Sequence, residues 1–242
     1  MNYYKKRKKK STKKRINKTP AGSQRPEADV TDIRNFELPL EEVMENISAL
    51  TLDIERILEI NDHEVVLFVG DTQGKPRDEA GCAWIMDETY CKENEIYTKD
   101  AEGNLRRVKP GDYGLVVWDM RQINLWTLFV VCHELRHIWQ IENGLVDKWG
   151  SKELEIDADA FALCVSNVLY GVSMMHDKDD EFVAPGRSGS FFIKPDDVMK
   201  KAEMLDEEVR RAFKKVAMKK PLNIDNDRYV WKRLVAFDHT ER

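Results

Sequence analysis

The feature that most constrains the fold is a long apolar segment with a polar cluster near its end. Residues 123–132 (Ile-Asn-Leu-Trp-Thr-Leu-Phe-Val-Val-Cys) are apolar on nearly every face of a helix. We therefore predict a buried helix over 122–143, ended by the pair Asn143-Gly144. The sequence His133-Glu-Leu-Arg-His lies inside it. Such polar side chains are costly to bury unless something satisfies them.

The spacing of the two histidines indicates metal binding. Residues four apart lie on one face of an α-helix, about one turn from each other. His133 and His137 could therefore bind one zinc ion at the roughly 2 Å distance that zinc requires. Glu134 is rotated by about 100° from His133, so its carboxylate could reach a zinc-bound water and act as general base. Because zinc lowers the pKa of that water to roughly 7, the pattern predicts a zinc-dependent hydrolase with Glu134 as catalytic residue.

A third ligand is expected on the next helix, because catalytic zinc usually has three protein ligands and a water. A helix predicted over 152–170, with Ser151 as its N-cap and Gly171 ending it, follows a short connection that would make it antiparallel to the first. It carries Glu155 and Asp159, four residues apart and so on one face. We predict that Glu155 completes the metal site and that Asp159 accepts a hydrogen bond from a ligand histidine. Both could instead be solvated acids near a helix N-terminus, where the helix dipole favours them.

The two motifs together resemble those of the gluzincin zinc metallopeptidases. His133-Glu-Leu-Arg-His137 followed by Glu155-Ile-Asp-Ala-Asp159-Ala-Phe-Ala is most similar to the compact minigluzincins and to the catalytic core of the HtpX type. The ImmA/IrrE-type phage and bacterial peptidases have a similar arrangement. The resemblance covers about thirty residues. It implies His133, His137 and Glu155 as zinc ligands, Glu134 as general base and Asp159 as hydrogen-bond partner of a ligand imidazole.

The same resemblance leaves two further points. Asp157 is an alternative third ligand, since ImmA/IrrE-like proteins often have an acid there, and we prefer Glu155 for its relation to Asp159. The family also implies a strand before the motif helix whose open edge binds an extended peptide, for which Gly114–Trp118 and Cys82–Met86 are the candidates. No segment matches the membrane spans of the HtpX type, so membrane substrates are not implied.

Peptide hydrolysis also needs a group that stabilises the oxyanion, commonly Tyr, His or Arg near the metal. His176, Tyr170 and Tyr113 are candidates, and the sequence favours none of them. Arg136, inside the motif, could face solvent or pair with a carboxylate. Gln140, on the same helix face as the second histidine, could donate a hydrogen bond to the ligands.

The remaining pattern predicts an α+β fold. Residues 32–58 have the periodicity of one or two helices, and Pro195–Lys219 that of a long amphipathic helix. Four segments rich in β-branched and aromatic residues are predicted as strands: Glu64–Val69, Cys82–Met86, Glu95–Thr98 and Gly114–Trp118. Since strands and helices follow in separate runs, we expect a zincin-like domain over 31–242. In it a small mixed sheet would pack against the two motif helices, with a C-terminal helical extension.

Residues 1–30 differ in composition from the rest of the chain. Residues 1–18 contain ten Lys or Arg and no acid, which leaves 29 basic against 44 acidic residues, a formal charge of −15, in the remainder. A segment with so little to bury is predicted to be a disordered basic tail. It could attach the protein to nucleic acid or an anionic surface, or act only as a solubilising segment.

Cysteine content and hydropathy bear on the compartment. The four cysteines, with no CxxC pair, argue against a disulfide framework or a thiolate zinc knuckle and suit a reducing compartment. The N-terminal charge run leads into no apolar signal segment. The longest apolar run, Leu125–Cys132, is too short to cross a bilayer. We therefore expect a soluble, cytoplasmic protein without a transmembrane segment.

Two other functions compete with the hydrolysis of peptide or protein substrates. A zincin scaffold could bind zinc and act only as a regulator that recognises a partner. A nucleic-acid-associated protein could instead depend on the basic tail. Hydrolysis is the leading prediction, because the two motifs contain the ligands and the base that the reaction needs.

Overall fold

The computed structural model describes residues 36–60, 64–70, 80–99, 105–118, 122–171 and 193–234, all of them within the unit Ile33–Arg242. The predicted basic tail lies outside the described residues. The elements, in chain order, are β1 Phe36–Glu37, α1 Leu40–Leu58, β2 Val65–Gly70, β3 Gly81–Ile85, α2 Glu88–Glu93, β4 Tyr97–Lys99, β5 Leu105–Arg107, β6 Tyr113–Trp118, β7 Gln122–Ile123, α3 Leu125–Glu142, α4 Ser151–Tyr170 and α5 Pro195–Lys219, followed by 3₁₀ segments at Asn223–Asp225 and Val230–Arg233.

These elements make an α+β fold, as predicted. The main sheet has the order β2-β6-β3. It is mixed, because β2 runs parallel to β6 whereas β3 runs antiparallel to it. β4 and β5 form a separate antiparallel pair, and β1 pairs with β7. Helix α3 contacts β3 and β6 of the sheet and also packs against α1 and α4, so the helix with the His-Glu-x-x-His sequence lies between the sheet and the other helices.

Helix α3 is buried because it is apolar on nearly every face. Every residue from Leu125 to Cys132 except Trp126 is buried. The helix begins later than the predicted Gln122, because Gln122 and Ile123 pair with β1 and Asn124 caps the helix. The Asn124 side chain accepts from the Thr127 backbone N–H at 2.9 Å. The predicted end at Asn143-Gly144 is confirmed, with Gly144 at φ 61°.

Helix α4 returns along α3 after the short connection 143–150. Its N-cap is Gly150 and not the predicted Ser151, because the Glu153 carboxylate accepts from the Gly150 backbone N–H at 3.1 Å and places Ser151 in the first turn. The helix ends at Gly171, as predicted, with that residue at φ 64°. Three polar contacts join the helices, and residue numbers rise along α3 while they fall along α4: His133 with Asp159, Arg136 with Asp157 and Gln140 with Leu154. The two helices are therefore antiparallel.

Helix α5 has the predicted bounds and packs its apolar face against α4 and α1. The segment after it is anchored on α1 by buried hydrogen bonds. Trp231, fully buried, donates its indole N–H to the Asn46 carbonyl at 2.7 Å, and the Asn46 side chain accepts from the Val230 N–H at 2.9 Å. Among the described helices, none combines the length and apolarity needed to cross a membrane.

One acid of α1 opposes folding at high pH. Glu55 is partly buried, and burial, followed by the negative charges of Glu64 and Glu142, raises its pKa to about 8. A carboxyl group whose pKa rises on folding contributes its full stability below its unfolded pKa and loses it as pH rises through the folded value. The free energy of unfolding should therefore fall as pH rises from about 4.5 to about 8 and stay at the lower value above that.

The variant Glu55→Gln is expected to gain stability over the wild type as pH rises from about 4.5 to about 8, because glutamine carries no charge. The gain should level off at a few kcal/mol, on the order of 1.4 kcal/mol per pKa unit. Urea unfolding near pH 5 and pH 9 measures it. Glu59→Gln is the control, since Glu59 is exposed and Lys215 lowers its pKa. This variant should be less stable than the wild type at neutral pH, and the difference in free energy of unfolding should vanish in acid. A Glu55→Gln gain that is equal at both pH values contradicts the raised pKa.

Candidate metal centre

Three side chains with metal-binding atoms meet where α3 and α4 pack together. The Nε2 atoms of His133 and His137 are 3.0 Å apart. Glu155 lies opposite them, with its carboxylate oxygens 3.4 Å from His133 Nε2 and 3.5 Å from His137 Nε2. A tetrahedral zinc with bonds of 2.0–2.1 Å separates its ligand atoms by about 3.3–3.4 Å. The three residues could therefore hold one metal ion, with the two Nε2 atoms a few tenths of an ångström closer together than around tetrahedral zinc.

The ring of His133 is oriented by Asp159. Its Nδ1 lies 2.9 Å from the Asp159 Oδ1, and Asp159 is fully buried. Because an ionised carboxylate can only accept, the Nδ1 of His133 carries the hydrogen. Its Nε2 is therefore directed at the cluster. The predicted hydrogen bond between Asp159 and one of the two motif histidines is present.

The ring of His137 is oriented by Gln140. The Gln140 amide nitrogen donates to the Leu154 carbonyl at 2.9 Å and to Asp157 at 3.0 Å, so its oxygen faces His137 Nδ1 at 2.8 Å. The amide oxygen accepts there, and the prediction of Gln140 as a donor to the ligands is wrong. Since both ring Nδ1 atoms donate outward, the Nε2 lone pairs of the neutral rings point at each other. Such a pair is repulsive unless a positive charge lies between the nitrogens.

The charges around the cluster favour a cation. Burial lowers the pKa of both imidazoles, but for His133 the hydrogen bonds to Asp159 and Glu155 and the charge of Glu134 outweigh burial and raise its pKa to about 10. For His137 burial, together with the charge on His133, lowers the pKa to about 4. The pair thus retains one proton at neutral pH. A bound dication would displace that proton and satisfy the same carboxylates.

Asp157, the alternative third ligand, has other partners. It accepts from Arg136 Nε at 2.7 Å and from Lys201 Nζ at 3.0 Å, in addition to Gln140. Burial would raise its pKa, but the hydrogen bonds from Arg136, Gln140 and Lys201 hold the pKa below its usual value. Among the described residues, the group that could hold a metal consists of His133, His137 and Glu155, and does not include Asp157. Arg136 pairs with a carboxylate and is 4% exposed.

Glu134 lies between the helix and the start of β3. It is 8% exposed, whereas the side chains of His133, His137 and Glu155 are 14%, 20% and 30% exposed. A Cβ on Gly81 would lie 2.9 Å from Glu134 Cγ and 3.1 Å from its Oε1. The strand therefore approaches Glu134 so closely that only glycine fits. Sequence reasoning did not single out Gly81, although glycine at a strand start can mark such an approach.

The sheet order decides between the two candidate edge strands. Gly114–Trp118 belongs to β6, which pairs with β2 on one side and β3 on the other. It is the central strand, so its prediction as an open edge is wrong. Cys82–Met86 corresponds to β3, which pairs only with β6 among the described strands. The outer edge of β3 is thus the candidate for a bound peptide.

Tyr170 and Tyr113, the two candidates for oxyanion stabilisation among the described residues, do not join the cluster. The Tyr170 hydroxyl donates to the Trp231 carbonyl at 3.1 Å. Tyr170 itself lies about 22 Å along the axis of α4 from Glu155. Tyr113 is 4% exposed and pairs with Ile85 at the far end of β3. That end lies about 13 Å along the strand from Gly81, the residue next to Glu134. His176 lies outside the described residues.

Comparisons of the chain with protein-family models, with curated proteins and with solved structures gave no significant match. The interpretation of the site therefore depends on its own geometry and chemistry.

We predict that Gly81→Ala destabilises the protein by about 1–3 kcal/mol, because the new Cβ would lie 2.8 Å from Val130 Cγ1 as well as against Glu134. Zinc should still bind, since the three atoms nearest to that Cβ belong to Val130 and Glu134 and not to His133, His137 or Glu155. Denaturant unfolding and metal content check both statements. Gly150→Ala is the control: a Cβ there meets nothing within 4 Å, so only the weaker N-cap, under about 1 kcal/mol, is lost. Equal costs for the two variants contradict the close packing at Gly81.

Proposed function

We propose that the chain is a zinc metallopeptidase of the gluzincin type with a zincin-like fold. The observation that carries the proposal is the triangle of His133, His137 and Glu155, whose size and donor atoms suit tetrahedral zinc. Two histidines and one glutamate, with a fourth position for water, are the ligands of catalytic zinc in several peptidases. The partial exposure of the three side chains is consistent with such a fourth position.

The protein residues have separable roles in this reaction. Zinc, when bound, supplies Lewis acidity towards water and the substrate carbonyl. Glu134 would accept the proton of the attacking water and later donate it to the leaving amine. Asp159 and Gln140 hold the two rings with their Nε2 atoms towards the cluster. Gly81 allows the substrate-side strand to lie against Glu134.

The substrate proposed for this site is a peptide or protein segment in extended conformation. An exposed sheet edge binds such a segment through main-chain hydrogen bonds, as an added strand. Among the described strands β3 pairs only with β6, which leaves its other edge for such a segment, and β3 begins at Gly81, next to Glu134. A peptide paired with β3 would therefore pass the general base. This continuity between edge and base favours a peptide over a small-molecule substrate.

We also propose a cytoplasmic location for the protein. The support is that all four cysteines, Cys82, Cys91, Cys132 and Cys164, are free thiols and three of them are buried. Free buried cysteines are typical of reducing compartments.

The variant Glu134→Gln is expected to lose peptide hydrolysis by about 10²–10⁴-fold while keeping stoichiometric zinc, because glutamine cannot accept the proton. Cleavage of a library of internally quenched peptides by the zinc-loaded protein measures the first part, and metal analysis the second. Glu153→Gln is the control, because Glu153 lies on α4 but outside the cluster, and it should remain active.

Two results separate the alternatives. A Glu134→Gln variant as active as the wild type excludes the assigned base. A wild type that binds zinc tightly but cleaves no peptide, before or after the substitution, contradicts the enzyme proposal and favours a zinc-binding regulator.

A further inference from the structure

Asp157 joins three helices beside the proposed metal site. It lies on α4 and is 1% exposed. Arg136 of α3 donates to it through Nε at 2.7 Å and Nη2 at 3.4 Å, and Lys201 of α5 donates at 3.0 Å. Both cations are held by aromatic rings, Arg136 at 3.6 Å from the centre of Trp139 and Lys201 at 5.0 Å from that of Trp149. The carboxylate is therefore fixed from two directions.

The fixed carboxylate determines which way the Gln140 amide faces. Gln140 is 1% exposed, and its amide nitrogen donates to Asp157 and to the Leu154 carbonyl. Both partners can only accept hydrogen bonds, so turning the amide over would put oxygen against oxygen. The amide oxygen is thereby directed at His137 Nδ1. It selects the tautomer of His137 whose Nε2 is free to bind a metal.

We propose that Gln140, locked by Asp157, is the positioning residue for His137, and that Lys201 makes α5 part of this device. The inference rests on the proposed zinc site. It differs from the arrangement at His133, where a carboxylate contacts the ring directly. At His137 the negative charge lies one amide further away, and a helix without a metal ligand contributes to holding the ring.

The variant Gln140→Leu tests the proposal, because leucine fills a similar volume but cannot accept from His137. Competition with a chelator should give a zinc dissociation constant about 10–100-fold weaker than that of the wild type. In the cobalt-loaded protein, the wild type should show two shifted, exchangeable ring N–H resonances, one for each histidine ligand. The variant should lose the resonance of the His137 ring N–H, because without its acceptor this hydrogen exchanges rapidly with water. A purely structural role would not remove that resonance.

Further variants keep the test valid if Gln140→Leu does not fold. Asp157→Asn keeps the volume but leaves a single acceptor oxygen for the donors of Arg136, Lys201 and Gln140, so the Gln140 amide should be held less firmly. Zinc binding should weaken in the same direction. Lys201→Met should weaken zinc binding by less than Gln140→Leu, whereas Lys200→Met, on the exposed side of α5, should have no effect. Equal affinities for the two lysine variants exclude α5 from the device.

The control at the end of α3 is Asn143→Leu, because among the described residues the Asn143 side chain donates to the Trp139 carbonyl of its own helix and not to the cluster. If Gln140→Leu binds zinc as tightly as the wild type and shows both resonances, the positioning role of Gln140 is overturned, whereas the proposed zinc site is not. A loss in Asn143→Leu as large as in Gln140→Leu also overturns it. If the wild type itself binds neither zinc nor cobalt, the proposed function fails first, so the two failures are distinguishable.

Discussion

The proposed site depends on the way in which two imidazoles are forced to face each other. The buried Asp159 and Gln140 each accept from a ring Nδ1, so the two Nε2 atoms face each other at a separation of 3.0 Å. That arrangement needs a positive charge, and the Glu155 carboxylate lies where it would share one. The antiparallel packing of α3 against α4 makes all of these contacts possible. The remainder of the fold supports this pair of helices from the sheet side and from α5.

Much of this site could be predicted from the sequence, because the residues of each motif lie close together on a single helix. The four-residue separation of His133 and His137, and of Glu155 and Asp159, fixes which side chains share a face. The short connection to α4 predicts that the two faces meet. The choice between Glu155 and Asp157 was harder, since it depends on Lys201, which reaches Asp157 from α5. Contacts between residues so far apart in sequence have no signature in a local pattern.

The strand order shows the same limit. Alternation and β-branched residues located β2, β3 and β6 within one residue, but they do not specify which strand is central. Pairing on both sides of β6 is a tertiary property, and it left β3 as the edge beside Glu134. The N-terminus of α3 was displaced for a related reason, because pairing of Ile123 with Phe36 competes with helix formation. Gly81 becomes informative only once Glu134 is known to lie against it.

X-ray absorption at the zinc edge, on protein loaded with one equivalent of zinc, identifies the atoms bound to the metal. We expect zinc bound by two imidazoles and by oxygen at about 2.0–2.2 Å, with no sulfur. The site holds no cysteine among its described residues. A sulfur neighbour at about 2.3 Å, a single imidazole, or a protein that retains no zinc would contradict the claim that His133, His137 and Glu155 form a metal centre.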